Sequence, residues 1–205
     1  MKTKKLFTAK SAAILSTVLA PVLGAAISMP VYAEQPSFNQ IEGGYIEIDD
    51  DFSGYTLRGK VGITDNFYVT GGYSNVSHDE LEDFINGTAE LSASRFGVGT
   101  NFGITDNTAV YGQLEYLDLS LELDSSFFES DSNEDGYIAS VGIRSMLTNT
   151  TELYGELAHN KVEETQTIAT AGIRQYFTDN LGVFAEYSMN DYDSDGYAVG
   201  VSFKF

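Results

Sequence analysis

From Ile41 onward the sequence changes polarity with a period of two, in short segments broken by turn residues. In "GYTLRGKVGITDN", Tyr55, Leu57, Val61 and Ile63 fall on one face, and Thr56, Arg58, Lys60 and Gly62 on the other. Successive side chains of a strand point to opposite faces, so this is the period of a half-buried strand and not of a helix. The pattern recurs in "FYVTGGYS", "RFGVGTNFGI", "VYGQLEY", "YIASVGIRS", "LYGELAH", "TIATAGIRQYF", "VFAEYSM" and "YAVGVSFKF"; with "IEGGYIEI" that makes ten candidate strands. Asp79 to Ile85, "DELEDFI", reads as a helical turn inside a loop. After residue 33 no segment reaches the roughly 18–20 apolar residues of a membrane helix, so any membrane crossing must be made by strands.

The turns fall into two classes that alternate along the chain. Thr64-Asp65-Asn66, Thr105-Asp106-Asn107, Thr148-Asn149 and Thr178-Asp179-Asn180 are short, with the Asn and Asp that tight hairpins favour. The others are longer and acidic, over about residues 49–54, 77–91, 121–136, 161–166 and 190–196. An even strand count with short turns at one end and long loops at the other is the plan of an outer-membrane barrel. Aligned on the short turns, one set of strands shares Val110-Tyr111-Gly112, Leu153-Tyr154-Gly155 and Val183-Phe184-Ala185. The other set shares Val141-Gly142-Ile143-Arg144, Ala171-Gly172-Ile173-Arg174 and Val199-Gly200-Val201-Ser202. Such repeats follow from barrel geometry and carry no function by themselves.

Residues 1–33 read as a signal peptide: Lys2, Lys4, Lys5 and Lys10, then a mostly apolar stretch from Ser11 to Ile27, then Val31-Tyr32-Ala33 before Glu34. Residues 34–205 keep all 30 acidic residues but only 7 of the 11 basic ones, a net charge of −23. That balance excludes nucleic acid as a partner, since phosphates call for Lys and Arg. An exported chain with no Cys needs another device for stability. A closed barrel supplies one, because every strand N–H and C=O finds a partner around the ring.

A soluble barrel of lipocalin type would show the same alternation. Three features favour lipid on the apolar side. The polar face is mostly Gly, Ser, Thr and Tyr, and residues 34–205 contain three Lys, few for a solvated exterior. Tyr55, Tyr137 and Tyr197 cluster at the long-loop end; Phe67, Phe102, Phe177, Phe203 and Phe205 lie toward the short-turn end, as interfacial girdles would. Tyr55 to Ile63 and Tyr197 to Phe205 each span nine residues, against the 9–11 of a tilted membrane strand.

The ending Gly200-x-x-Phe203-x-Phe205 resembles the terminal-strand signal of bacterial outer-membrane barrels, although Ala198 stands where that pattern prefers a polar residue. From signal peptide to terminal Phe, the chain is similar to the small porin-like outer-membrane β-barrel family, which includes OmpA-, OmpX- and Opa-type barrels. The resemblance implies an all-β, closed, antiparallel up-and-down transmembrane barrel in the outer membrane of a Gram-negative bacterium, in contact with lipid and lipopolysaccharide. It also implies recognition of Gly200, Phe203 and Phe205 by the barrel-assembly machinery. The segment count favours ten strands; the OmpA and OmpX types have eight, which stands as the alternative. A monomer without cofactor is expected.

With the apolar face outward, Arg58, Lys60, Arg95, Arg144 and Arg174 point into the lumen from one set of strands. Glu42, Gln113, Glu115, Glu156 and Glu186 point in from the other. The pattern predicts a chain of neighbours Arg144–Glu156–Arg174–Glu186, acting either as a structural plug or as the lining of a narrow porin-like channel. Asp49-x-Asp51-x-Ser53-Gly54, Asp131-x-Asn133-x-Asp135-Gly136 and Asp191-x-Asp193-x-Asp195-Gly196 resemble half of a calcium loop. Each lacks the Glu at position twelve, where Lys60, Gly142 and Ser202 stand, so the residues read first as ordinary turn chemistry, with a weak Ca²⁺ or Mg²⁺ site shared with lipopolysaccharide as the alternative. His78, beside Ser77 and Asp79, and His159 are the two histidines; neither shows a catalytic arrangement, and the chain is not expected to be an enzyme, protease or lipid-modifying. Phe127 and Phe128 stand out in an acidic loop, with two readings open: a partner contact, or packing onto neighbouring loops. The resulting expectation is a structural or surface-interaction barrel with acidic external loops.

Overall fold

The computed structural model describes residues 34–49, 52–78, 87–125, 128–162, 165–191 and 194–205, of which 87–88, 123–125 and 128–130 by backbone alone. The signal-peptide stretch 1–33, the helical turn expected at Asp79 to Ile85, and the side chains of Phe127 and Phe128 lie outside the described residues. Ten antiparallel strands form one closed barrel: β1 (Gln40–Ile48), β2 (Phe52–Gly62), β3 (Phe67–His78), β4 (Gly87–Thr105), β5 (Thr108–Ser125), β6 (Phe128–Met146), β7 (Thr151–Lys161), β8 (Thr165–Tyr176), β9 (Leu181–Asn190) and β10 (Asp195–Lys204). Each strand pairs with its sequence neighbours, and β1 closes onto β10 from Gln40 opposite Lys204 to Ile48 opposite Gly196. The ten-strand reading holds, and the eight-strand alternative does not.

The Thr-Asp-Asn repeat has a local cause and a longer-range one. In the turns after β2, β6 and β8, the Thr hydroxyl accepts backbone N–H groups three residues on: Phe67 N to Thr64 Oγ1 at 3.1 Å, Thr151 N to Thr148 Oγ1 at 2.9 Å, and Leu181 N to Thr178 Oγ1 at 2.9 Å. The Asn reaches across to a neighbouring strand. Asn66 Nδ2 donates to Asn101 O at 2.9 Å, Asn107 Nδ2 to Met146 O at 2.9 Å, and Asn180 Nδ2 to Lys204 O at 2.6 Å. Thr thus closes its own hairpin, and Asn ties that hairpin to the next.

The strand repeat is a row of aromatic rings laid over glycines. Tyr68, Tyr111, Tyr154 and Phe184 stand directly opposite Gly99, Gly142, Gly172 and Gly200 on the following strand. A methyl group added at those glycines would come within 2.2, 2.4, 2.2 and 2.8 Å of the ring atoms. Gly is required there because the ring lies flat on the backbone. Gly172→Ala is therefore expected to destabilise the barrel by about 1–3 kcal/mol through overpacking. Gly112→Ala, where the nearest atom is 3.7 Å away, should be close to neutral. Urea titration of both variants in phospholipid vesicles checks this; equal midpoints would refute the close-contact account.

The outer face is apolar and carries two aromatic bands. Tyr45 faces Tyr55, Tyr187 faces Tyr197, and Phe96, Tyr116 and Tyr137 form a row across three strands near the long-hairpin end. Phe67, Phe102, Phe177, Phe203 and Phe205 remain exposed at the short-turn end. Above the tyrosine band the alternation changes phase. In β5, Leu114 and Tyr116 point outward, but Leu117 is buried in the lumen while Asp118 is exposed. That is the arrangement expected where an apolar surrounding gives way to water: polar side chains turn out and apolar ones turn in, as in a soluble barrel.

This phase change corrects two of the expected loops. Residues 121–125 and 128–136 are strand, and the stretch near 77–91 is strand at both its edges: β3 runs to His78, β4 begins at Gly87, β5 runs to Ser125 and β6 resumes at Phe128. Their acidic composition suggested loops, but a period-two Leu series, Leu117, Leu119 and Leu121, continues the sheet beyond the membrane. The same correction removes a calcium-loop geometry from Asp131, Asn133 and Asp135. They are strand residues opposite Glu122, Ser120 and Asp118, and alternate residues of a strand lie about 6.6 Å apart in a row instead of wrapping one ion.

Candidate functional site

The lumen contains a cavity of about 750 Å³ that runs from the long-hairpin rim down to Gln40, Arg144 and Arg174. Glu42, Arg58, Lys60, Arg95, Glu115, Arg144, Glu156, Arg174 and Glu186 all line it. Their side chains sort into two groups, one tightly bonded and one loosely placed.

The tight group is a single bonded chain across the barrel. Arg144 Nε and Nη2 donate to Glu152 at 2.6 and 3.0 Å. Arg174 Nη1 donates to the same carboxylate at 2.7 Å, while its Nε and Nη2 reach Glu42 at 2.6 and 3.1 Å. Glu42 also accepts Arg58 Nε at 2.7 Å. Arg58 Nη1 and Nη2 then grip Glu186 at 2.8 and 2.6 Å, and Tyr154 Oη donates to Glu186 at 2.7 Å. At the other end Arg144 Nη2 donates to Gln40 Oε1 at 2.6 Å. Gln40 is on β1 and Arg144 on β6, five places apart in a ring of ten, so this bond spans the lumen. Glu42, Arg144 and Glu152 are each 2% exposed or less.

Aromatic rings brace the cations from the glycine side. Arg174 lies 3.8 Å from the Tyr154 ring centroid, Arg58 4.9 Å from Phe184, and Lys60 Nζ 4.3 Å from Tyr111. Phe38, which precedes β1, enters the short-turn mouth. It stacks on Tyr68 at 5.1 Å and meets Tyr111 edge-on at 5.8 Å, with the Arg144 guanidinium 4.8 Å from its centroid.

The loose group differs. Glu115 accepts Thr70 Oγ1 at 3.0 Å and Gln113 Nε2 at 3.1 Å, and Glu156 accepts Tyr111 Oη at 2.6 Å. Neither forms an ion pair among the described residues. The expected chain Arg144–Glu156–Arg174–Glu186 is therefore rearranged. Arg144 stands opposite Tyr154 and Arg174 opposite Glu152, so the strand stagger delivers both guanidiniums to Glu152 instead of Glu156. Glu152, Gln40 and Phe38 escaped the sequence reading. Glu152 follows a short turn directly, where it reads as a turn residue, yet its parity with Tyr154 and Glu156 places it inward.

The remaining candidates do not converge. His159 is on the exposed side of β7, whereas His78 lies edge-on to Phe52 at 5.0 Å. Asp191 accepts Thr167 N at 3.2 Å, and Asp195 accepts Tyr187 Oη at 2.6 Å. Asp193 is outside the described residues. Among the described residues, no group of three or more acidic or His side chains is arranged to hold a metal ion. Gly200 lies under Phe184, and Phe203 and Phe205 stack at 6.4 Å on the outer face.

A family model described as "Outer membrane protein beta-barrel domain" matches residues 17–205. No curated protein matches the chain. Among solved structures, the KdgM porin in complex with disordered oligogalacturonate superposes with a TM-score of 0.52 at 13% identity, over 81% of this chain and 99% of that one. Ail, the attachment invasion locus protein of Yersinia pestis, gives 0.49 at 11% identity, over 82% and 100%. Neisserial surface protein A gives 0.46 at 12% identity, over 82% and 98%.

Proposed function

The chain belongs to the outer-membrane β-barrel domain family, and on that premise we propose that it is a surface-interaction barrel with a closed lumen. It sits in the bacterial outer membrane as a monomer, short turns toward the periplasm and acidic hairpins outside. Gly200, Phe203 and Phe205 of β10 serve as its address for the barrel-assembly machinery, and lipid and lipopolysaccharide surround its apolar face.

One observation carries the closed-lumen reading: the bond from Arg144 on β6 to Gln40 on β1, continued through Glu152, Arg174, Glu42, Arg58 and Glu186. An ion crossing this layer would have to break charge-assisted bonds between desolvated groups, each worth more than an ordinary hydrogen bond. Wild-type protein refolded and added to a planar bilayer is expected to show no steady conductance. A stable open level would refute the closed lumen.

The second reading is a narrow channel, favoured by the cavity that already reaches from the outer rim to Gln40. In that reading the bonded layer is a gate. The KdgM porin is described with a disordered oligogalacturonate, an anionic sugar chain. Here the cationic groups of the bonded layer face carboxylates, which leaves no one-sign path for such a solute. His78 is on β3 and His159 on β7, and the proposed role involves no catalysis.

A further inference from the structure

We propose that the upper lumen is a binding site for a long-chain fatty acid, entered from the long-hairpin rim, with the carboxylate held at Lys60 and Arg95. The proposal stands independently of whether the barrel conducts.

The walls come from the phase change above the tyrosine band. Ile46, Val76, Leu91, Leu117, Ile138 and Ile168 face inward from six strands and line the cavity. Thr56, Ser74, Asn160 and Ser188 share this wall, but apolar side chains form the larger part of it. A largely apolar wall around about 750 Å³ of space suits a hydrocarbon chain. Lys60 is level with Gln40, and Ile48 at the rim lies eight residues further along β1. With the usual rise and tilt, this makes the site about 20 Å deep.

The floor selects the head group. Lys60 and Arg95 both line the cavity, and among the described residues neither has a carboxylate within 4.0 Å. Arg95 Nε rests against the bare backbone of Gly72, and Lys60 lies over the Tyr111 ring. The nearby carboxylates of Glu115 and Glu156 already accept from Thr70, Gln113 and Tyr111. The floor therefore holds two cations that no carboxylate meets as an ion pair, beside two carboxylates that face neutral donors. A ligand head that supplies oxygen acceptors and a negative charge complements Lys60 and Arg95.

The experiment uses the full barrel in lipid nanodiscs and palmitic acid carrying a terminal photoactivatable diazirine, with adducts mapped by mass spectrometry. Adducts are expected on the lumenal residues of β4 to β6 and β8 above the tyrosine band. Unlabelled fatty acids should compete, with affinity rising about fourfold per added methylene until the chain reaches the rim. Lys60→Gln with Arg95→Gln should lower labelling by palmitate about tenfold or more, while labelling by the matching diazirine hexadecanol stays unchanged. Ala93→Phe with Ala158→Phe, which fills the cavity from two sides, should abolish lumenal adducts. Heat-dependent gel mobility verifies that each variant is folded, and the wild-type map decides the question even where a variant is not. Adducts confined to lipid-facing residues such as Leu114 and Val141, or lumenal labelling indifferent to the filled cavity, would overturn the site. Equal loss of palmitate and hexadecanol labelling in the Lys60→Gln/Arg95→Gln variant would overturn the assignment of the head.

Discussion

Glu152→Ala is expected to destabilise the folded barrel by about 3–5 kcal/mol, the cost of stranding buried charge. The Glu152 carboxylate, 1% exposed, accepts from both Arg144 and Arg174. Without it Arg144 keeps one neutral partner, Gln40, and Arg174 keeps Glu42 alone. Both guanidiniums stay buried with part of their charge uncompensated. Glu156→Ala is the matched comparison. Its carboxylate accepts from the neutral Tyr111 hydroxyl, so its removal costs about 1–3 kcal/mol. Urea titrations of the two variants in phospholipid vesicles measure the difference. If Glu156→Ala proved as damaging as Glu152→Ala, the bonded chain would not be what holds the lumen together.

Replacing Arg144 and Arg174 together by alanine is expected to turn a closed barrel into a conducting one. These two side chains link β6 and β8 to β1 through Gln40 and Glu42, across the lumen instead of along its wall. Removing both breaks each of those crossings and opens the space above Phe38. The wall itself is untouched, since backbone pairing around the ring does not involve the two side chains. Adding Phe38→Ala should raise conductance further, because Phe38 stands between the Arg144 guanidinium and the Tyr68 and Tyr111 rings at the short-turn mouth. Single-channel recording in planar bilayers distinguishes the three proteins. Unchanged conductance in the double variant would place the barrier elsewhere.

The lumenal charges illustrate how far residue order reaches. Parity alone sends Arg144, Arg174, Glu42 and Glu186 inward, because successive Cβ atoms of a strand must alternate. It does not say which carboxylate each guanidinium meets. Glu156 was the expected neighbour of Arg144 by level along the repeat, but the register sets Glu156 opposite Gly142 and Thr170, and brings Glu152 into reach of both arginines. Phe38 was invisible for a different reason: it lies before the first alternating segment, so no period marks it as inward. The phase change at Leu117 was present in "LEYLDLSLEL" but read as an acidic loop, since Asp and Glu favour turns when composition is considered without pairing.

By itself the sequence determined the alternating strands, the division into short turns at one end and long connections at the other, and which face is apolar, and it favoured ten strands over eight. All of these follow from alternation and from turn chemistry within a few residues. Only the tertiary structure decided what faces what across the barrel. Closure sets β1 opposite β6 and so brings Gln40 to Arg144, residues 104 positions apart. It also turned the phase change in separate strands into one largely apolar chamber above a charged floor. A side chain's direction is local, fixed by its own backbone; its partner is whatever the closed ring carries to the same point.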